Sequence, residues 1–146
     1  MLLIGAKNFT SQDVIANGIL NLGAVYRRYC RRINGVRTFD FDGNNIVLQQ
    51  SGMYHITVTA VASGDVAGDI TLSLFENGIA VPGVVSTETI TTPETEFRTL
   101  TIDYYALVDS TCVLGNSAVV QKAISLVNTG VDATYTSIII NVDKVV

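Results

Sequence analysis

The residues best suited to bind a charged partner are five arginines near the N-terminus. They are five of the nine basic residues and fall within eleven positions, at Arg27, Arg28, Arg31, Arg32 and Arg37. In a strand, Arg27 and Arg31 would point to one face and Arg28 and Arg32 to the other. The two faces could therefore be buried only if these charged side chains had partners. Three interpretations stay open: an edge strand protected by its charge, a docking surface for an acidic protein face, and a nucleic-acid contact.

The residues that acid/base catalysis would need are sparse. His55 is the only histidine, and no adjacent Ser, Cys or carboxylate marks it as a catalytic base. Glu94 and Glu96 lie two positions apart beside Pro93, which is more typical of a solvated loop than of an acid/base pair. We therefore expect a protein that is not an enzyme and that needs no cofactor.

Metal ligands are equally poorly represented. The run Asp-Phe-Asp-Gly-Asn at residues 40–44 is similar to the start of an EF-hand loop, but Gly43 is at the fourth position and Ser51 occupies the twelfth. A turn explains this run better than a calcium site. Cys30 and Cys112 have no ligand-like spacing; we favour two reduced thiols and keep a single disulfide as the alternative. No metal site is predicted.

Composition favours a single all-β domain that assembles with others. The 146 residues include 19 Val, 14 Ile and 16 Thr, residue types enriched in strands, whereas charged residues are only 15%. The net charge of −4 argues against a nucleic-acid partner. Apolar runs are far shorter than the roughly 20 residues of a membrane helix, and the first residues do not resemble a secretory signal. Because 48% of the residues are hydrophobic, we expect part of the surface to be covered in an oligomer.

Alternation of apolar and polar residues predicts where the strands run. It is clearest at residues 52–60, where Tyr54 and Ile56 share one face and His55 and Thr57 the other. Nine or ten strands are expected, the first over residues 19–32, which leaves sandwich or barrel architectures and favours a jelly roll.

Turn residues and the N-terminus complete this outline. Hairpins are predicted at residues 42–45 and at Asn77-Gly78, and Pro82-Gly83 is expected to end a strand. Residues 1–17, with a polar middle and at best one helical turn, are interpreted as an arm.

Three segments resemble the small trimeric jelly rolls of the tumour necrosis factor and complement-q superfamily. They read Ser-Gly-Met-Tyr-His-Ile-Thr-Val at 51–58, Leu-Phe-Glu-Asn-Gly-Ile-Ala-Val-Pro-Gly at 74–83, and Leu-Val-Asn-Thr-Gly at 126–130. Ala-Val-Tyr-Arg-Arg-Tyr at 24–29 resembles the opening strand of short phage proteins regarded as head fibres or capsid decorations. The C-terminal domains of collagen-like spore-surface glycoproteins are also similar, but the missing collagen tract favours the phage form.

The resemblance implies a TNF-like jelly-roll domain over residues 18–146, preceded by the arm, and a homotrimer. Five tyrosines are candidates for the trimer interface, with ordinary core tyrosines as the alternative: Tyr26, Tyr54, Tyr104, Tyr105 and Tyr135.

The function implied is that of a structural virion protein decorating a bacteriophage head. The arm and the strand with Arg27, Arg28, Arg31 and Arg32 would dock it on the major capsid protein or another virion protein, at the virion surface. The alternative is a trimeric tip, on a phage fibre or a bacterial spore, that binds a host receptor or surface glycan through loops 65–68 and 91–96. Neither role involves nucleic acid or a membrane.

Overall fold

Two antiparallel sheets make up the part of the chain that the computed structural model describes, residues 2–32, 35–109 and 121–145. The strands are β1 (Leu2–Asn8), β2 (Gln12–Val14), β3 (Gly18–Ile19), β4 (Ala24–Arg28), β5 (Phe39–Phe41), β6 (Ile46–Leu48), β7 (Gly52–Gly64), β8 (Gly68–Glu76), β9 (Ile79–Ile90), β10 (Arg98–Val108), β11 (Lys122–Asn128) and β12 (Ala133–Lys144). Within these ranges there is no helix, and so none that could cross a membrane.

Each sheet has six strands. The first has the order β10-β7-β12-β1-β4, with β2 also paired to β12; the second has the order β5-β6-β11-β8-β9, with β3 also paired to β11. Apolar side chains from both sheets fill the space between them and lose contact with water, which is the main stabilising contribution to such a sandwich. The predicted all-β jelly roll is thereby confirmed.

Alternation along most of β7 and β10 separates a core face from an outer face. On β7, Tyr54 and Ile56 are buried while His55 and Thr57 face outward, as the sequence predicts. Strand β10 pairs with β7 over its whole length, with Tyr105 opposite His55. Paired residues share a face, so the outward residues of β7, β10 and β12 form one continuous surface.

The N-terminal arm is a wrong prediction. Residues 2–8 form β1, which lies between β12 and β4, and Leu3, Ile4 and Ala6 are buried. The apolar run at residues 2–6 suits a strand covered on both sides, and only the polar residues after Asn8 leave the sheet. The expected helical turn is strand β2, so the jelly roll begins at residue 2 rather than at residue 18.

The first strand predicted, over residues 19–32, is two separate strands, β3 and β4. Gly23 between them has φ of 76°, which breaks the extended run. Strand β4 ends at Arg28, so the predicted strand alternation of Arg31 and Arg32 does not occur.

Both predicted hairpins are present. Strands β5 and β6 pair antiparallel across the turn at residues 42–45, and β8 and β9 meet at Asn77-Gly78, where both residues have positive φ. Pro82-Gly83 does not end a strand: β9 continues through it, and the pairing register with β8 shifts nearby, between Ser73 and Phe75.

A buried amide ties the ends of three strands together. Asn128 is fully buried, and its Nδ2 donates to the carbonyl oxygens of Val14 (3.0 Å) and Val131 (2.9 Å), while Tyr135 Oη donates to its Oδ1 (3.2 Å). After it, the chain crosses β8 so closely that a Cβ on Gly130 would lie 2.5 Å from the backbone nitrogen of Thr71. The Asn-Thr-Gly segment therefore has a structural role.

Replacing Asn128 tests this network. Asn128→Ala removes the hydrogen bonds to the carbonyls of Val14 and Val131 and to the Tyr135 hydroxyl, and we expect the free energy of unfolding to fall by about 3 kcal/mol in urea denaturation. Tyr135→Phe removes one hydroxyl only and should cost about 1 kcal/mol. Equal, small losses from both variants would contradict the proposed network.

Candidate interaction surfaces

An apolar patch lies on the outer face of the first sheet, near the β10 edge. Its members, which we call the outer patch, are Met53 (37% exposed), Tyr105 (55%), Leu107 (51%) and Val145 (53%). Leu107 pairs with Met53 across the strands, and the Val145 N–H donates to the Met53 carbonyl at 2.8 Å. The four residues are thus one contiguous patch, in a position typical of a surface covered by another protein.

His55 borders this patch and is held by two residues of β10. Its Nε2 is 2.5 Å from Oδ1 of Asp103, and its ring stacks on Tyr105 at 4.5 Å between centroids with an interplanar angle of 11°. The sequence analysis did not identify this carboxylate because it comes from the neighbouring strand. The available indication was that alternation places His55 and Asp103 both on the outward faces of their strands. The arrangement orients the imidazole within a surface rather than in a cleft.

The five candidate interface tyrosines divide between the two faces of the first sheet. Tyr54 and Tyr135 have no exposed surface, so the interface prediction is wrong for them and they are core residues of a single chain. Tyr104 also points inward, half-buried, and donates a hydrogen bond to Glu76 Oε1 at 2.7 Å. Tyr26 and Tyr105 are exposed, and for these two the interface role stays a prediction.

Tyr26 is held flat against β1. A Cβ on Gly5 would lie 2.5 Å from its ring, so a larger residue there would displace the ring from this position. The Tyr26 hydroxyl donates to Asn141 Oδ1, and Lys7 Nζ lies 5.3 Å from the ring centroid, a cation–π distance.

A basic groove separates the free edges of the two sheets. Strand β4 is the edge of the first sheet and β5 the edge of the second, and the groove between them has a volume of about 640 Å³. We call it the arginine groove; it is lined by Val25, Arg28, Cys30, Arg32, Arg37, Phe39, Asp40 and Phe41.

Most of the clustered arginines lack an acidic partner. Arg37 lies 3.5 Å from Asp40, but in the described ranges Arg27, Arg28, Arg31 and Arg32 form no ion pair. All four are exposed. Their charges are therefore available to an external anion.

Buried polar side chains hold the segment that carries these arginines. Thr38 Oγ1 accepts from the Arg31 N–H (3.2 Å) and donates to the Arg31 carbonyl (2.7 Å). Gln50 Nε2 donates to the carbonyls of Arg31 (2.9 Å) and Val36 (3.0 Å), and Tyr54 Oη donates to the Gln50 carbonyl at 2.6 Å. A chain of hydrogen bonds thus links the core to the groove.

The run similar to an EF-hand is a turn. Asp42 Oδ1 accepts the backbone N–H groups of Asn44 (2.9 Å) and Asn45 (2.7 Å), and these bonds lower the pKa of its carboxyl group. This carboxylate is already committed to the turn. Cys30 is exposed beside the groove, whereas Cys112 lies outside the described residues, so the state of the two thiols stays a prediction.

The two loops considered for receptor binding lie at the opposite end of the first sheet from the arginines. Arg28 pairs with Ile4, and Ile4 with Val142, which lies opposite Ile56 near the start of β7. Loop 65–68 follows the end of β7, and loop 91–96 leads into β10 at Arg98, which pairs with Ala62 near that end. The loops contact each other, since the Glu94 N–H donates to the Gly64 carbonyl at 3.0 Å. The molecule therefore has a basic end and a separate loop end.

Comparison with known proteins finds similarity only among solved structures. No protein-family model and no curated protein matches the chain. The structure of Eiger TNF from S. frugiperda is similar with a TM-score of 0.65 at 10% identity, over 100% of this chain and 94% of that one. The globular domain of zebrafish complement 1qA protein is similar with a TM-score of 0.61 at 5% identity, over 98% and 96%. The PRD1 vertex protein P5 is similar with a TM-score of 0.55 at 15% identity, over 99% and 97%.

Identities this low establish a common fold and nothing more. The chain has the jelly-roll fold of the tumour necrosis factor and complement-q class, as the three sequence segments predict.

Buried tyrosines make stability sensitive to high pH. Burial raises the pKa of Tyr54 to about 12, and burial together with Glu76 raises that of Tyr104 to about 12; burial also raises the pKa of Tyr135. Since the unfolded chain releases these protons first, their stabilising contribution is complete below about pH 10 and is lost as the pH rises from there through about 12.

We therefore expect the urea midpoint to fall steeply between about pH 10 and pH 12. Tyr54→Phe should make that fall shallower, while Tyr29→Phe, at an exposed tyrosine, should leave it unchanged. The same steepness in both variants would argue against the buried tyrosines as the cause.

Proposed function

We propose that this protein is a non-enzymatic structural protein of a bacteriophage particle, a homotrimer that decorates the head and lies at the virion surface. The observation that carries the proposal is the basic end, separated from the loop end, in a fold similar to that of the PRD1 vertex protein P5. A surface protein of this kind needs one end that docks and another that faces outward.

The outer patch supports self-association. Four exposed apolar side chains on a flat sheet face are costly in water, and burying them between copies removes that cost. The resemblance to trimeric jelly rolls favours three copies over two. Tyr105 belongs to the patch, whereas Tyr26 lies towards the far edge of the same sheet face.

Docking through the arginines needs no N-terminal arm. Residues 2–8 are a central strand and cannot reach out to a capsid without unfolding the first sheet. The exposed arginines of the basic end would instead face an acidic surface of the major capsid protein or another virion protein.

The alternative is a trimeric recognition tip that binds a host receptor or glycan through the loop end. It is favoured by the two loops lying side by side and exposed. On a phage fibre or a spore surface, the same trimer would then use its loops rather than its arginines.

The solution mass tests the trimer. Light scattering should give three times 15.6 kDa, or about 47 kDa. Leu107→Glu places a charge in the outer patch and should yield monomers, whereas Val85→Glu, at a residue of similar exposure (49%) on β9, should stay trimeric. A wild-type monomer, or dissociation by Val85→Glu alone, would refute the interface.

Sedimentation with emptied phage heads tests the docking role. The wild-type chain should sediment with heads that lack it, and Arg28→Glu with Arg32→Glu should abolish this because it reverses two charges at the basic end. Val66→Glu in loop 65–68 should have no effect. If Val66→Glu abolishes binding to heads and the arginine variant does not, the recognition tip is favoured. The same holds if the wild-type chain binds host cells and does not bind heads.

A further inference from the structure

We infer that the arginine groove binds an extended, acidic segment of a partner protein, which adds as a strand to the free edge of β4 and places its carboxylates on Arg28 and Arg32. This rests on the proposed docking role and specifies the chemistry of the partner.

In the described part of the chain, β4 pairs with β1 on one side and with no strand on the other. A further hollow of about 370 Å³ lies against the strand and shares Val25 and Arg28 with the arginine groove. An edge strand with unpaired backbone N–H and C=O groups is a template for an added strand. An extended peptide can therefore reach the backbone of β4.

The arginines lie on the side that such a strand would meet. Arg28 pairs with Ile4, whose side chain is in the core, so Arg28 stands on the core-facing side of the sheet edge and points towards β5. Arg27 pairs with Gly5 and does not line the groove. Alternate residues of an added strand would face the groove, and carboxylates at those positions would meet guanidinium groups that bind them well.

The groove is also held in a defined shape. The hydrogen bonds from Thr38 and Gln50 to the backbone at Arg31 fix the segment before Arg32, and both side chains are almost fully buried, at 2% and 7% exposure. A preformed site loses less conformational entropy on binding than a mobile one.

A protein segment fits this groove better than a nucleic acid does. Phe39, Phe41 and Val25 supply apolar walls, which suit the side chains of a peptide better than a phosphate backbone. The whole chain is negatively charged, at −4, which opposes a long polyanion but not a short acidic strand whose backbone pairs with β4.

The test is the binding of a fluorescent peptide of about ten residues that alternates Glu and Thr, followed by anisotropy at about 50 mM salt. The wild-type protein should bind it and should not bind the same peptide with Gln for Glu. Arg28→Gln with Arg32→Gln should weaken binding at least tenfold. Arg31→Gln with Arg98→Gln removes the same charge at residues that do not line the groove or this hollow and should weaken it less than threefold.

Three results would overturn the inference. The first is an equal loss of peptide affinity in the two double variants. The second is undiminished binding of a peptide whose backbone is N-methylated along one edge. The third is that a DNA oligonucleotide of equal charge displaces the labelled peptide at a lower concentration than the unlabelled peptide does. Thermal unfolding of each variant shows that it is folded. If the protein sediments with heads but does not bind the peptide, the inference about the groove is refuted and the docking role is not. If it binds the peptide but does not sediment with heads, the inference about the groove is supported and the virion role is refuted.

Discussion

In the paired strands β7, β10 and β12, side chains point alternately to the core and to the outer face. This alternation is the constraint on which the rest of this structure depends. Because β10 pairs with β7 without a break in register, and β12 pairs with β7 in one register from Ser137 onward, each side chain there is committed either to the core or to the outer face. Tyr104 and Tyr105 are neighbours in sequence, yet the first bonds to Glu76 across the sandwich and the second stacks on His55 outside it. A slip of one residue would exchange these roles and bury His55 and Asp103.

The scarcity of charge makes its distribution informative. Ion pairs such as Lys122 with Glu76 (3.0 Å) serve the fold, whereas four of the five clustered arginines, all but Arg37, have no acidic partner in the described part of the chain. Unpaired cations gathered at one edge of a sheet are unfavourable to each other in the free protein. An acidic partner removes that repulsion, so the cluster favours binding more than it favours the fold.

The fold could be predicted well from the sequence, because alternation and turn residues act locally. The hairpins at residues 42–45 and at Asn77-Gly78 follow from the backbone preferences of those residues alone. The place of β1 could not be predicted in this way, since its pairing with β12 joins the two ends of the chain. For the same reason the partners of His55 and the arginine groove, which join distant segments, needed the tertiary structure.

The outer patch and the arginine groove lie at opposite edges of the first sheet, which lets both be used together. The patch is near β10 and the groove beside β4, with three strands between them. Copies that meet through the patch can leave the β4 edges open. Two β4 edges would bring arginine against arginine if they paired with each other, so the same charges that attract an acidic strand also prevent the chain from adding to itself.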